Sequence, residues 1–380
     1  MYFITGATGA IGSAVAARLL DEPGVRIVAL VRGDSPAGAA DRLSAALVPL
    51  GVSRQAIAQG GRVQVALGDA QQPRFGLSSD EHAALESACT HVIHCAGAVR
   101  MNLAIELARR AAVDSSRNAI HLARRIAEVN RLVKAEMVST VGVGGRAHRR
   151  LTEDWVGTAH AFHNSYEQAK AEAEVEMRTA IEEGLPLTVH RPSMVVGDSR
   201  TGRAMHFQVF YFLAEFLSGR RTGGLFPRLG DAQLDIVPAD FVAEAIVRSS
   251  RSEATAGRIL HLCGGPQAAI PLSRLQAIVR DRLAARGEKL PRVRYVSRAL
   301  FRRLAQALQW VVDERTGAAL ATLPVFLDYL DTEQTFDNRR TREWLESEQV
   351  AIPAPDAYLA RILDFYFSTK DRGRLKASSA

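Results

Sequence analysis

Three side chains in this sequence could together move a proton onto or off an oxygen. Tyr166 and Lys170 stand four apart in SYEQAK, and Thr140 ends the apolar run LVKAEMVST. Residues 164–177, NSYEQAKAEAEVEM, have a helical composition, and on a helix positions four apart share a face. A free phenol ionises at about pH 10, and a neighbouring ammonium favours its anion, which brings proton transfer towards working pH. Such a phenol can donate a proton to a carbonyl oxygen. A threonine hydroxyl beside it can hold the same oxygen by a second hydrogen bond while negative charge grows there. Spacing alone does not decide for chemistry, because a packed tyrosine next to a solvated lysine has the same pattern.

These residues need elements that hold them at one edge. Through residues 1–200, apolar runs YFIT, VRIVALV, RVQVALG, HVIHCAG, LVKAEMVST and LPLTVHRPSMVV alternate with helical patterns such as VAARLL, SDEHAALESAC and SYEQAK. Such alternation predicts an α/β fold, a doubly wound parallel sheet of the Rossmann type with right-handed crossovers. After Gly197 the rhythm changes to glycine-rich turns and the apolar run FQVFYFLAEFLSG. LDIVPADFVAEAIVRS and RILHLCGG then suggest two strands and a helix returning to the sheet, and amphipathic helices follow from about residue 271. We expect a Rossmann domain over residues 1–200 with 235–265 returning to it. A smaller, mostly helical substrate subdomain would comprise 201–234 and 266–370, and 371–380 would be a frayed tail.

The turn after the first strand, TGATGAIG at residues 5–12, opens a helix. Gly6, Gly9 and Gly12 permit a sharp turn and close approach to a pyrophosphate, with Thr8, Ala10 and Ile11 in the same loop at the helix N-terminus. The second strand ends in Arg32 instead of an acid, and a guanidinium there could grip a 2′-phosphate, which favours NADP (NADPH). Asp34 keeps NAD open, and Arg42 is either a second cation for that phosphate or a surface charge. The third strand ends VALGDA, placing Asp69, with Ala70 after it, where an adenine amino group could be met. The fourth ends Cys95-Ala96-Gly97, small enough for a cofactor to pass at the carboxyl edge.

The chain has 380 residues, a formal charge of +7 and three cysteines, which suits one large α/β domain with a smaller one and excludes a disordered tail or a disulfide framework. The first strand begins at Tyr2, leaving no room for a cleaved leader, so a reducing cytoplasmic location is expected. FQVFYFLAEFLSG is too short to span a bilayer and contains Glu215; it suits a buried helix or a wall of an acyl pocket. Basic residues alternate with apolar ones at helical spacing, as on solvated helix faces, and no helix-turn-helix, zinc or aromatic RNA-binding pattern accompanies them, so no nucleic-acid partner is expected. His91, His94, His160 and His163 lack cysteine or acidic partners at metal spacing and read as structural or surface residues, with no metal. Glu172, Glu174 and Glu176 read as one solvated acidic face. Ser193 lacks the flanking glycines of a nucleophile elbow, which excludes a hydrolase. Residues 297–312, with Arg302, Arg303 and Trp310, suit packing over the substrate cleft, a peripheral contact with an anionic membrane, or an acidic acyl-carrier protein.

TGATGAIG, GDAQQP, HCAG, VSTVGVGG, SYEQAK and RPSMVVGDSRTG occur in the order found in the extended short-chain dehydrogenase/reductases, which residues 1–265 resemble. LVR after the second strand, GLS in RFGLSSDE, RPSMVVGDSRTG and LDIVPADFVAEAI are similar to the thioester-reductase and fatty acyl-CoA reductase branch, the male-sterility type. That resemblance implies Thr140, Tyr166 and Lys170 as the catalytic set, with Lys170 also on the nicotinamide ribose. It implies Arg32 and Arg42 as the phosphate grip, Asp69 as an adenine contact, and Pro192, Ser193 and Met194 near the nicotinamide carboxamide. One stretch departs: AAVDSSRNAIHLA puts Ala112 where the family has asparagine and Ser115 where it has glycine, while Asn118 lies elsewhere on the helix.

The expected activity is NADPH-dependent reduction of a small-molecule or carrier-bound acyl thioester to the aldehyde, and onward to the alcohol. Two alternatives stay open. One is a ketoreductase, hydroxysteroid-type dehydrogenase or nucleotide-sugar epimerase on the same scaffold. The other is a redox-sensing protein that binds dinucleotide without turnover.

Overall fold

The computed structural model describes residues 1–58, 61–101, 103–129, 131–147, 149–207, 209–301, 303 and 334–378. The chain divides into two compact units. The first comprises Met1–Val195, Val237–Cys263 and Phe336–Ile352; the second comprises Val196–Ile236, Gly264–Thr335 and Pro353–Ala380. Phe336–Ile352, which the sequence pattern suggested for the helical part, therefore joins the first unit.

Seven strands make the central sheet of the first unit: β1 (Tyr2–Thr5), β2 (Ile27–Val31), β3 (Val63–Leu67), β4 (His91–His94), β5 (Lys134–Val138), β6 (Leu187–Pro192) and β7 (Ile259–Leu262). Their order is β7-β6-β5-β4-β1-β2-β3 and every pairing is parallel. Short, fully apolar strands such as IVALV are what burial on both faces demands. The segment Ile236–Pro238, expected to return to this sheet, lies outside it as a short strand, and Ile259–Leu262 takes the edge position beside β6.

The flanking helices are α1 (Ala10–Leu20), α2 (Pro36–Leu47), α3 (Ser79–Ala88), α4 (Ile105–Arg109), α5 (Ser115–Glu128) and α6 (Ser165–Glu182), with Ala239–Ser249 after them. One apolar cluster gathers α1, α2 and Ala239–Ser249 on one face of the sheet, and another gathers α5 and α6 on the other. Strand order reverses between β1 and β4, where Thr5 and His94 are in register. Such a switch point at the carboxyl edge is where open α/β sheets leave a crevice.

In the second unit the helix Val209–Leu217 buries Phe210, Tyr211, Leu213, Ala214, Phe216 and Leu217, while Phe212 is 63% exposed. The run FQVFYFLAEFLSG is thus chiefly the core of its own unit. Glu215 within it is buried yet paired, with Arg220 at 3.1 Å and Lys370 at 2.6 Å, which makes a carboxylate tolerable there. Helices Leu272–Ala285 and Pro355–Ser378 are laced by Arg274–Asp356, Arg282–Asp364 and Arg286–Asp371. The helix reaches Ser378, through most of the expected frayed tail. Residues 302 and 304–333 lie outside the described residues, and with them most of the basic segment 297–312 and Trp310.

Candidate active site

Asn164 starts α6 with its side chain accepting from the Glu167 N–H at 3.0 Å. That cap sets Tyr166 and Lys170 on the first two turns of the helix. Thr140 follows β5 in extended conformation, and its Oγ1 accepts from the Gly142 N–H at 3.1 Å. The acceptance leaves the hydroxyl proton available, and the Thr140 side chain is near enough to the Tyr166 phenol to favour its anion. Successive residues of an extended chain point to opposite sides, so Ser139 turns away and donates to Glu174 at 2.6 Å. Of the two hydroxyls at this strand end, Thr140 is the one on the side of the phenol.

Lys170 is buried and donates to the Val138 carbonyl at 2.8 Å. Burial pushes its ammonium down to about 8, with Cys95 and Glu174 opposing. Burial also pushes the Tyr166 phenol up to about 12, against the pull of the Thr140 hydrogen bond and with Glu167 adding to the rise. A Cβ on Gly97 would lie 3.4 Å from the Lys170 Nζ, so a side chain there would press on the ammonium.

The turn after β1 closes against the end of β4. Gly6 has φ +70°, and a Cβ on it would fall 2.7 Å from the Ala96 nitrogen; a Cβ on Gly12 would fall 2.2 Å from the Gly6 oxygen. Gly9 caps α1 with no side chain, so the first-turn amides beyond Thr8, from Ala10 and Ile11 on, carry no side-chain cap. Thr5 accepts from the Ala96 N–H at 3.2 Å and meets His94 at 2.8 Å, which ties β1 to Cys95-Ala96-Gly97. His94 is fully buried and burial holds it neutral, down to about 3.

Arg32 and Arg42 border a cavity of about 690 Å³ together with Ser35, Gly38, Asp69 and Phe75, and Arg42 donates to the Arg32 carbonyl. Asp69 accepts from the Gln71 N–H at 3.0 Å, and Asn118 donates to the carbonyls of Ala70 at 2.9 Å and Gln72 at 2.8 Å. Asn118 thus braces the loop that carries Asp69, a role its sequence position did not suggest. Pro192 ends β6; Met194 opens the short strand that follows. Between them the buried Ser193 donates its N–H to Leu262 at 3.1 Å, while its hydroxyl has no hydrogen-bond partner among the described residues.

The departure at Ala112 has a backbone counterpart. Arg110–Asp114 is wound as a π-turn between α4 and α5, and Ser115 donates to the Ala111 carbonyl at 2.7 Å. The helix is therefore interrupted at Ala112 without asparagine.

The glutamates of α6 correct one expectation. Residues two apart on a helix point to opposite sides. Glu172 and Glu176 face outward to Arg109 and Arg117, whereas Glu174 is 1% exposed and forms a bidentate pair with the fully buried Arg191. Among the described residues no cluster of three or more His, Cys, Asp or Glu side chains could hold a metal. His160 packs on Phe162 at 4.3 Å, and His163 meets Glu167 at 3.0 Å. That last pair was not singled out from the sequence, although the N-S-Y-E pattern at the helix start carries the capping signal.

Residues 4–246 match the NAD-binding family described as "Male sterility protein". An isonitrile lipopeptide synthase from Streptomyces coeruleorubidus is 30% identical over 250 residues, covering 65% of this chain and 16% of that protein. The chain spans about a quarter or less of the length of the first three curated relatives it matches. The terminal R domain of the myxalamid PKS-NRPS biosynthetic pathway superposes with a TM-score of 0.80 at 26% identity, covering 98% of this chain and 90% of that one. A thiolation-reductase di-domain from an archaeal non-ribosomal peptide synthetase has the same fold, with a TM-score of 0.76 at 20% identity over 97% of this chain and 75% of that one. With its glycine turn, switch-point crevice and Thr-Tyr-Lys edge, the chain belongs to the NAD(P)-binding male sterility protein family of the extended short-chain dehydrogenase/reductases.

Proposed function

We propose that this protein is an NADPH-dependent reductase of acyl thioesters, yielding the aldehyde and, by a second reduction, the alcohol. The observation that supports the reading is the arrangement at the end of β5: Thr140 near enough to influence the Tyr166 phenol, and Lys170 one turn along α6, donating to the Val138 carbonyl beside Gly97. The residues present fit a dinucleotide: glycines fill a cradle that a Cβ would block, and the Ser193 hydroxyl is a buried polar group in want of a partner. Gly6, Thr8, Gly9, Ala10, Ile11 and Gly12 would hold the pyrophosphate, Asp69 and Ala70 the adenine, Cys95, Ala96 and Gly97 the passage between, and Pro192, Ser193 and Met194 the carboxamide. NADPH supplies hydride when bound.

Tyr166 donates its proton to the thioester carbonyl oxygen as that oxygen gains charge. Thr140 holds the same oxygen by a hydrogen bond and so stabilises it. Lys170 holds the ribose hydroxyls and, carrying its proton below about pH 8, favours the phenolate left behind. The hemithioacetal then loses its thiol and leaves the aldehyde. The buried Tyr166 phenol, pushed up to about 12, is protonated at neutral pH, the form that a reduction needs.

The likeness to reductase domains, one of them solved with a thiolation domain, favours a carrier-bound acyl group as substrate. No described helix is long and apolar enough to cross a membrane, and the three cysteines are unpaired, in keeping with a cytoplasmic protein. The test is NADPH oxidation against acyl-CoA esters, acyl-carrier thioesters, ketones and nucleotide sugars. Thioester-dependent turnover is expected; turnover on ketones or sugars alone, or tight binding without any, overturns the reading.

Arg32 and Arg42 would select NADPH over NADH through the 2′-phosphate. Arg32→Ala should weaken NADPH binding about tenfold or more and leave NADH binding nearly unchanged, read by fluorescence titration of both cofactors. Equal losses for the two would move the phosphate grip elsewhere.

A further inference from the structure

Glu167 follows Tyr166 directly and is 2% exposed, an unusual place for a carboxylate. It accepts from the backbone N–H of His163 and from its imidazole Nδ1, each at 3.0 Å. Its other neighbour is the loop after β5: a Cβ on Gly142 would lie 3.1 Å from the Glu167 Cγ and 3.5 Å from its Oε1. The Gly142 N–H is in turn the donor that holds the Thr140 Oγ1. One buried carboxylate therefore touches the segment leading into Tyr166 and the peptide that orients Thr140.

We propose that Glu167 is a positioning residue: anchored by His163, it sets the Thr140 hydroxyl through the backbone of Gly142, and its buried charge keeps the Tyr166 phenol in its proton-donating form. The inference rests on the reductase reading of this site. Deletion of the charge would make the phenol easier to ionise, so the catalytic acid would be lost at lower pH. Among the described residues, the ionisable groups on the neighbouring elements are Lys170 on the same helix with Cys95 beside it, His163 on the Glu167 carboxylate and His160 on the Val143 carbonyl. Burial pushes the Cys95 thiol up to about 12, so it stays neutral. A protonated Lys170 would favour the anion, in the opposite sense to Glu167.

The test follows Tyr166 ionisation directly, as tyrosinate absorbance of the NADP⁺ complex with the Tyr166→Phe signal subtracted. Glu167→Gln keeps shape and acceptor but removes charge. Its phenol should ionise about one pH unit lower, and the basic limb of kcat should move down with it, while NADPH affinity holds. Glu167→Asp should restore the limb. An unchanged tyrosinate titration, with only Tm altered, would reduce Glu167 to packing and overturn the proposal. Should Glu167→Gln not fold, His163→Leu serves, since a carboxylate stripped of that donor is less screened and should move the limb up. A limb that stays put there overturns it equally. A parent enzyme that turns over nothing defeats the reductase reading instead, and the absorbance titration still decides for or against Glu167.

Discussion

Tyr166→Phe should lower kcat by about 10³-fold while NADPH affinity changes by less than about twofold. The substitution keeps the ring and its packing and removes only the phenol oxygen, the proposed proton donor. Hydride could still be delivered, but the oxygen of the substrate would gain charge with no proton at hand. The split between kcat and cofactor affinity is the informative part, because a residue that acted only by packing would lose both together. Stopped-flow NADPH oxidation and fluorescence titration on one preparation supply the two numbers. Retained turnover would remove Tyr166 from the mechanism.

The second large effect is on stability. Glu174→Gln should destabilise the fold by about 3–5 kcal/mol, measured as a lower urea midpoint. Arg191 is fully buried, and Glu174 supplies both oxygens of its main ion pair at 2.9 and 2.6 Å. The amide leaves a guanidinium charge inside the protein, held among the described residues by hydrogen bonds to the carbonyls of Thr152 and Asp154 and by the imidazole of His261. Glu172→Gln, two positions away, breaks a partly exposed pair with Arg109 and should cost less than about 1 kcal/mol. Equal losses from the two would mean that the buried guanidinium finds another counter-charge. Because Ser139 donates to the same Glu174, the loss should also loosen the strand end that carries Thr140.

The contrast between these neighbours marks where the sequence was readable. Strand–helix alternation gave the doubly wound sheet because parallel strands buried on both faces have to be short and continuously apolar, and the glycine turn was legible because backbone clearance at Gly6 and Gly12 excludes any side chain. Thr140, Tyr166 and Lys170 were singled out by order and spacing together with the family likeness. Three acidic residues at alternate positions of one helix look alike in a sequence, and only a partner far along the chain, Arg191 on β6, makes Glu174 different from Glu172. The Glu167–His163 pair, the brace from Asn118 and the π-turn at Ala112 were hidden for a similar reason. Each depends on a backbone path or a third element that local pattern does not encode. Of the two segments expected to return to the sheet, Ile259–Leu262 takes the edge beside β6 and Ile236–Pro238 stays outside, because edge pairing is settled by tertiary contacts and both segments are apolar enough to serve.

The chain leaves the first unit after Val195, returns for Val237–Cys263, leaves again, and returns once more for Phe336–Ile352. No single cut can therefore release a self-sufficient nucleotide-binding fragment. A protein truncated after Val195 would carry β6 as a naked edge, without β7 or the helix Ala239–Ser249, and should associate through that edge instead of folding alone. During synthesis the sheet stays incomplete until Ile259–Leu262 has emerged from the ribosome, so protection of nascent intermediates should bear strongly on the yield of folded protein.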